Sequence, residues 1–188
     1  MFQVRGAKKK IGLFELASKK PVNVMAEGSF GSTFPNGCHI TEVEIDPATG
    51  VARIVAYNAV DDCGNVINHT IVEGQVHGAV TQGAGQIFSE QVIYDRETGQ
   101  LLTGSFMDYC MPRAGLVPDI RMQDLPLPSI NNTLGVKGVG ESGCTASIPS
   151  LANAVVDALR PLGVAHLDMP MTPAKLWHAI RSAGKDNK

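Results

Sequence analysis

The segment Gly135-Val136-Lys137-Gly138-Val139-Gly140-Glu141-Ser142-Gly143-Cys144 sets one carboxylate among four glycines. Glycine lets a backbone take left-handed conformations and lets another group approach it closely. A carboxylate offered from such a bend into a confined pocket loses solvation of its charged form and so holds a proton closer to neutrality. That is the property a general base needs. The competing reading is a solvent-exposed turn in which Glu141 only hydrogen-bonds neighbouring amides, and on residue types alone that reading is the stronger. Two nucleotide signatures fail on inspection. Gly138, Gly140 and Gly143 spell G-x-G-x-x-G, but a dinucleotide site needs a buried strand leading in, and Pro128-Ser-Ile-Asn-Asn-Thr133 is polar and turn-like. Gly135 to Ser142 also has phosphate-loop spacing, yet Glu141 stands where that loop requires lysine. The carboxylate would repel the phosphates that the lysine attracts.

A second chemistry-bearing pattern lies on a helix expected over about 69–90, with Asn68 as its cap. Gln75, Gln82 and Gln86 follow i, i+7, i+11 spacing and fall on one line of the helical surface. Gly74, Gly78 and Gly85 form a furrow beside them. Each interior glycine costs a helix about 1 kcal/mol relative to alanine, so a close backbone approach or a flat polar ligand must offset it. A glutamine amide, with donors and an acceptor, suits the edge of a heteroaromatic ring. Tight helix packing with exposed glutamines stands equally beside that reading. Asp61-Asp62 has the residue types of a metal pair, although an acidic strand end explains it more simply. Cys144 has no histidine placed by the sequence to activate it. The four cysteines form no C-x-x-C pair and the five histidines no short ligand spacing, which argues against zinc or iron–sulfur ligation by this chain. Free thiols point to a reducing cytoplasm.

These residues need elements to hold them. The alternating run from Cys38 to Asp46, the turn Pro47-Ala-Thr-Gly50 and the β-branched run Val51 to Val60 predict a hairpin. The long helix follows, then a strand–turn–strand over 91–103 around Asp95-Arg-Glu-Thr-Gly99, a short strand at 120–125, and a helix over 148–159 with Pro149 near its start. Thr172 and Pro173 open a last helix. The order predicts an α+β fold with an antiparallel or mixed sheet, one long glycine-containing helix and two C-terminal helices. Residues 1–36 read as a basic, partly flexible lead-in, with Arg5, Lys8, Lys9, Lys10, Lys19 and Lys20 against Glu15 alone in the first twenty positions, and 37–188 as the structured unit. A net charge of −2 over 188 residues argues against a nucleic-acid binder. No apolar run approaches the roughly 20 residues of a membrane span.

Three stretches together carry a resemblance: Asp62-Cys-Gly-Asn-Val-Ile-Asn68, Val72-Glu-Gly-Gln-Val-His-Gly-Ala-Val-Thr-Gln-Gly-Ala-Gly-Gln86, and Gly135-Val-Lys-Gly-Val-Gly-Glu-Ser-Gly143. In order and spacing they resemble the C-terminal part of the molybdenum-binding large subunit of the xanthine dehydrogenase, aldehyde oxidase and aerobic carbon monoxide dehydrogenase family, over about 30–182. The resemblance implies the second half of a molybdopterin-binding domain. It implies molybdopterin, often as the cytosine dinucleotide, carrying a molybdenum that no protein side chain ligates. It makes Glu141 the general base that takes a proton as oxygen is delivered to an electrophilic carbon, and Gln75 a hydrogen-bonding partner of the cofactor beside the Gly138–Gly140 loop. Iron–sulfur clusters and FAD are expected only on partner subunits.

The departure is size, because a family large subunit is several times longer and its first half supplies much of the cofactor cradle. The implied function is therefore that of an oxidoreductase component, active with a partner that carries the N-terminal half of the site, on a small-molecule substrate such as an aldehyde, a purine, another N-heterocycle or carbon monoxide. A non-catalytic cofactor-binding or assembly module, or a truncated remnant, is the alternative. An apolar face left by the missing half would favour docking or homo-oligomerisation.

Overall fold

The computed structural model describes residues 2–3, 6, 8, 10–19, 23, 25–28 and 31–186. The expected flexible lead-in at 1–36 falls partly outside that set. Contacts divide the chain at Phe30. In the first unit, strands β1 (Phe2–Gln3) and β2 (Lys10–Ile11) pair antiparallel, and helix α1 (Leu13–Lys19) carries an i,i+4 ion pair between Glu15 and Lys19 at 2.6 Å.

The second unit starts from the predicted hairpin. Strand β3 (Asn36–Ile45) turns His39, Thr41, Val43 and Ile45 inward, while Cys38, Ile40, Glu42 and Glu44 face outward. That alternation is the period-2 pattern of a sheet covered on one side. Strand β4 (Ala52–Asp62) runs antiparallel to β3. Asp46 organises the turn, its side chain accepting from the Ala48 amide at 2.9 Å and the Thr49 hydroxyl at 2.7 Å. Gly50 sits at φ +73°, and a Cβ there would stand 2.0 Å from the Pro173 carbonyl oxygen. Gly50→Ala therefore combines backbone strain with a clash against a fixed helix end, and should cost about 2 kcal/mol or more, read as a lower denaturant midpoint.

Strand β5 (Ile120–Asp124) joins β4 in parallel, giving a mixed three-stranded sheet in the order β3-β4-β5. Three long helices complete the unit: α2 (His69–Phe88), α3 (Ser142–Leu159) and α4 (Pro173–Asp186). Asn68 caps α2 as its type predicts, accepting from the Ile71 amide at 3.1 Å. Helix α3 lies on β3, where Thr41 and Ser150 hydroxyls meet at 2.7 Å. Tyr57, Val76, Val80, Ile87, Leu151, Val155, Leu159 and Leu176 form the core between sheet and helices. The α+β expectation holds, including the mixed sheet and the two C-terminal helices.

Three details differ from the sequence-based expectation. Residues 91–103 form no strand pair, only an isolated bridge between Tyr94 and Leu101 around the Asp95 turn, because Val92, Tyr94 and Leu102 find no partner layer and stay exposed. Helix α3 starts six residues earlier than expected and carries Pro149 in its interior. Packing overrides the local cost of that proline: a Cβ on Gly143 would lie 2.8 Å from the Val76 carbonyl oxygen and from Ala79, so the first turn of α3 sits directly on α2. Finally, the close approach on α2 falls at Gly83, which faces Ser147, while Gly74 and Gly78 meet nothing within 4 Å and Gly85 meets Pro112.

Candidate active site

The glycine loop ends where α3 begins, so Glu141 stands at the helix N-terminus with its carbonyl accepting the Thr145 amide at 3.0 Å. Its side chain makes no capping hydrogen bond and is exposed. It borders a hollow of about 320 Å³ with Phe34, Pro35, Gly37, Asp61 and Thr145. In this chain the carboxylate is therefore open on one side, not enclosed as a confined-pocket reading expects. Gln75 projects from the exposed face of α2 toward the same bend, its amide oxygen 3.5 Å from where a Cβ of Gly140 would stand. Gly138 is bare, with nothing within 4 Å of the equivalent position. The structure thus brings Gln75, Gly138, Gly140 and Glu141 to one locality. It separates the other two glutamines from them: Gln82 and Gln86 border a different hollow, of about 610 Å³, with Tyr109 and Met111.

The loop is tied to the end of β4. Asn132 brackets Val136, accepting its amide at 3.1 Å and donating to its carbonyl at 2.9 Å. The Lys137 amide donates to the Cys63 carbonyl at 2.8 Å. The Lys137 ammonium donates to Asp62, whose other oxygen accepts the amides of Gly64 and Leu127, each at 2.9 Å. Burial pushes the Asp62 carboxyl up, but the Lys137 hydrogen bond and the two amides outweigh it and hold it below the usual carboxylate range. A carboxyl depressed in the folded state stabilises the protein above the unfolded value of about 4 and ceases to do so as the pH falls through its lower folded value. Stability measured from pH 6 to pH 2 should fall below about pH 4, and Asp62→Asn should flatten that part of the curve.

Asp61, the neighbour of Asp62, belongs to a different network. His39 Nε2 lies 3.2 Å from Asp61 Oδ2 and His39 Nδ1 lies 2.7 Å from the Tyr57 hydroxyl. The His39 and Asp61 side chains are 1% and 2% exposed. One arrangement satisfies every atom: the tyrosine hydroxyl donates to Nδ1 and Nε2–H donates to the carboxylate. Burial, together with the Asp61 charge, pushes the Tyr57 phenol up, which keeps it protonated as that donor. Sequence reasoning saw Asp61-Asp62 as one acidic pair, whereas strand alternation had already assigned the two to different neighbours. The roles of Lys137 and His39 were missed, because a lysine in a glycine loop and a lone histidine on a strand carry no local signal. Among the described residues, no group of three His, Cys, Asp or Glu side chains could hold a metal ion, and no helix is long and apolar enough to cross a membrane.

Comparison with known proteins shows the family of the chain. Residues 2–118 match the molybdopterin cofactor-binding domain family. The chain is 43% identical over 148 residues to the nicotine 6-hydroxylase large subunit of Paenarthrobacter nicotinovorans, an overlap covering 79% of this chain and 18% of that protein. It is 40% identical over 149 residues to the carbon monoxide dehydrogenase large chain of Hydrogenophaga pseudoflava, covering 79% and 18% respectively. The crystal structure of a Cu,Mo-CO dehydrogenase in its carbon monoxide reduced state matches with a TM-score of 0.76 at 38% identity, over 80% of this chain and 19% of that one. By class, the fold is that of a segment of a molybdenum-hydroxylase large subunit. The chain belongs to the molybdopterin cofactor-binding domain family, within the xanthine dehydrogenase and carbon monoxide dehydrogenase group of oxidoreductases. It spans about a fifth of the length of these relatives.

Proposed function

We propose that this chain supplies the general base and part of the molybdopterin site of a molybdenum hydroxylase. The observation that carries the reading is the meeting of Gln75 with the bend that presents Glu141. The residues fit the cofactor. Gly74, Gly78 and Gly138 leave open space where side chains would stand, and the exposed Gln75 amide offers donors and an acceptor. Gln75 would hydrogen-bond the pterin, the bare backbone of Gly138 and Gly140 would let a flat ligand lie close, and Glu141 would accept a proton on a carboxylate oxygen. Molybdopterin, in its cytosine dinucleotide form, supplies the two-electron redox chemistry when bound.

The open side of Glu141 implies a partner. A polypeptide carrying the N-terminal half of the molybdenum domain would close the site and exclude water, and iron–sulfur and FAD groups on further subunits would supply the path for electrons. Apolar side chains await such contact: Phe106, Met107 and Ile130 are 83%, 93% and 98% exposed. Residues 37–188 act as the cofactor-binding unit and 1–36 as the basic segment where the partner joins. The substrate is a small aldehyde, purine, other N-heterocycle or carbon monoxide, and the setting is the cytoplasm. The test mixes the purified chain with the partner polypeptide and measures bound molybdenum, bound pterin and turnover. Turnover should appear only in the mixture, and Gln75→Ala should lower pterin retention about tenfold. Stoichiometric cofactor on the chain alone, without turnover in any mixture, would instead identify a non-catalytic binding module.

A further inference from the structure

Between Lys137 and the start of α3 at Ser142 the chain has glycine at 138 and 140, so its own backbone preferences do not fix where Glu141 points. Two anchors do. Downstream, Gly143 seats the first turn of α3 against Val76 and Ala79. Upstream, Asn132 and the Cys63 carbonyl hold the backbone of Val136 and Lys137. The Lys137 ammonium adds a charged tie to Asp62, with the two side chains only 13% and 5% exposed. Asp62 is itself immobile, because its other oxygen is taken by the amides of Gly64 at the end of β4 and Leu127 beyond β5. Charge-assisted hydrogen bonds are about twice as strong as neutral ones, so this tie is the firmest side-chain link on the upstream arm.

We propose that Lys137 is a positioning residue for Glu141, its ammonium clamped on Asp62 so that the glycine link presents the acid at one place. The proposal rests on the reading of Glu141 as the base. A flexible link loosened at one end lets the carboxylate wander, and a misplacement of about 1 Å costs a positioned reaction roughly a hundredfold.

The test compares wild type, Lys137→Met, Lys137→Arg and Asp62→Asn by hydrogen–deuterium exchange on the full chain and by kcat and KM in the assembled enzyme. Lys137→Met should speed exchange at the hydrogen-bonded amides of Val136, Lys137 and Ser142 at least tenfold while residues 76–84 of α2 stay as in wild type. It should lower kcat by about tenfold to a hundredfold with little change in KM, and Lys137→Arg should restore most of both. Asp62→Asn keeps an acceptor for the two amides and removes only the charged tie, so it carries the same expectation should Lys137→Met fail to fold. Wild-type exchange and kcat in these variants would overturn the proposal, as would faster exchange spread equally over α2. Glu141→Gln separates the two readings: full turnover in that variant defeats the base assignment, whatever the exchange at Val136, Lys137 and Ser142 shows.

Discussion

Glu141→Gln should reduce turnover of the assembled enzyme by about 10²–10⁴, the usual worth of a general base, or roughly 3–5 kcal/mol of barrier. The isolated chain should hardly notice the change. The Glu141 side chain is exposed, caps no helix and borders a hollow instead of filling one, and such surface substitutions are usually worth less than about 0.5 kcal/mol. Glutamine keeps the shape and removes only the ability to take a proton, so bound pterin and molybdenum should match wild type. Unchanged turnover at full cofactor occupancy would remove the carboxylate from the mechanism.

The opposite profile is expected for Asp61. Asp61→Ala should lower folding stability by about 1–3 kcal/mol, the cost of leaving a buried donor without its acceptor. That is a sizeable part of the roughly 5–15 kcal/mol a domain has. Removing the carboxylate strands the His39 ring nitrogen in a site 1% exposed and leaves the Tyr57 hydroxyl bonded to an unanchored ring. The Gly37 backbone packs against the carboxylate so closely that a Cβ there would lie 2.3 Å from Oδ1. Asp61→Asn keeps an acceptor for Nε2–H and should cost clearly less. Urea unfolding of both variants decides the matter; equal and small losses would show that the histidine is satisfied in some other way.

The elements were legible where local chemistry and tertiary packing agree. The Cys38–Val60 hairpin, the Asn68 cap, the short strand near Ile120 and the Thr172–Pro173 helix start all follow from residue types, and the structure has each of them. The misses fall where the two conflict. Pro149 argues locally for a helix start, yet it lies inside α3 because Gly143 and Ser147 need the preceding turns to reach α2. The residues around Val92 and Leu102 look like strands but have no layer to pair with. At the site, glycine spacing and the glutamine line marked the Gly138–Glu141 bend and Gln75, but only three dimensions show that Gln75 alone of its row meets that bend. No reading of neighbours along the chain finds a lysine that reaches back 75 residues to Asp62.

The interior proline has one more effect. Pro149 offers no amide to the carbonyl four residues before it, and proline disfavours a helix interior by about 3 kcal/mol. A peptide spanning residues 138–160 should thus be a poor helix upstream of Pro149. Those opening turns must wait for α2, whose Val76, Ala79 and Gly83 receive them. The bend that carries Glu141 is then a late arrival during maturation, so a nascent chain holds it unformed until its scaffold has condensed around it.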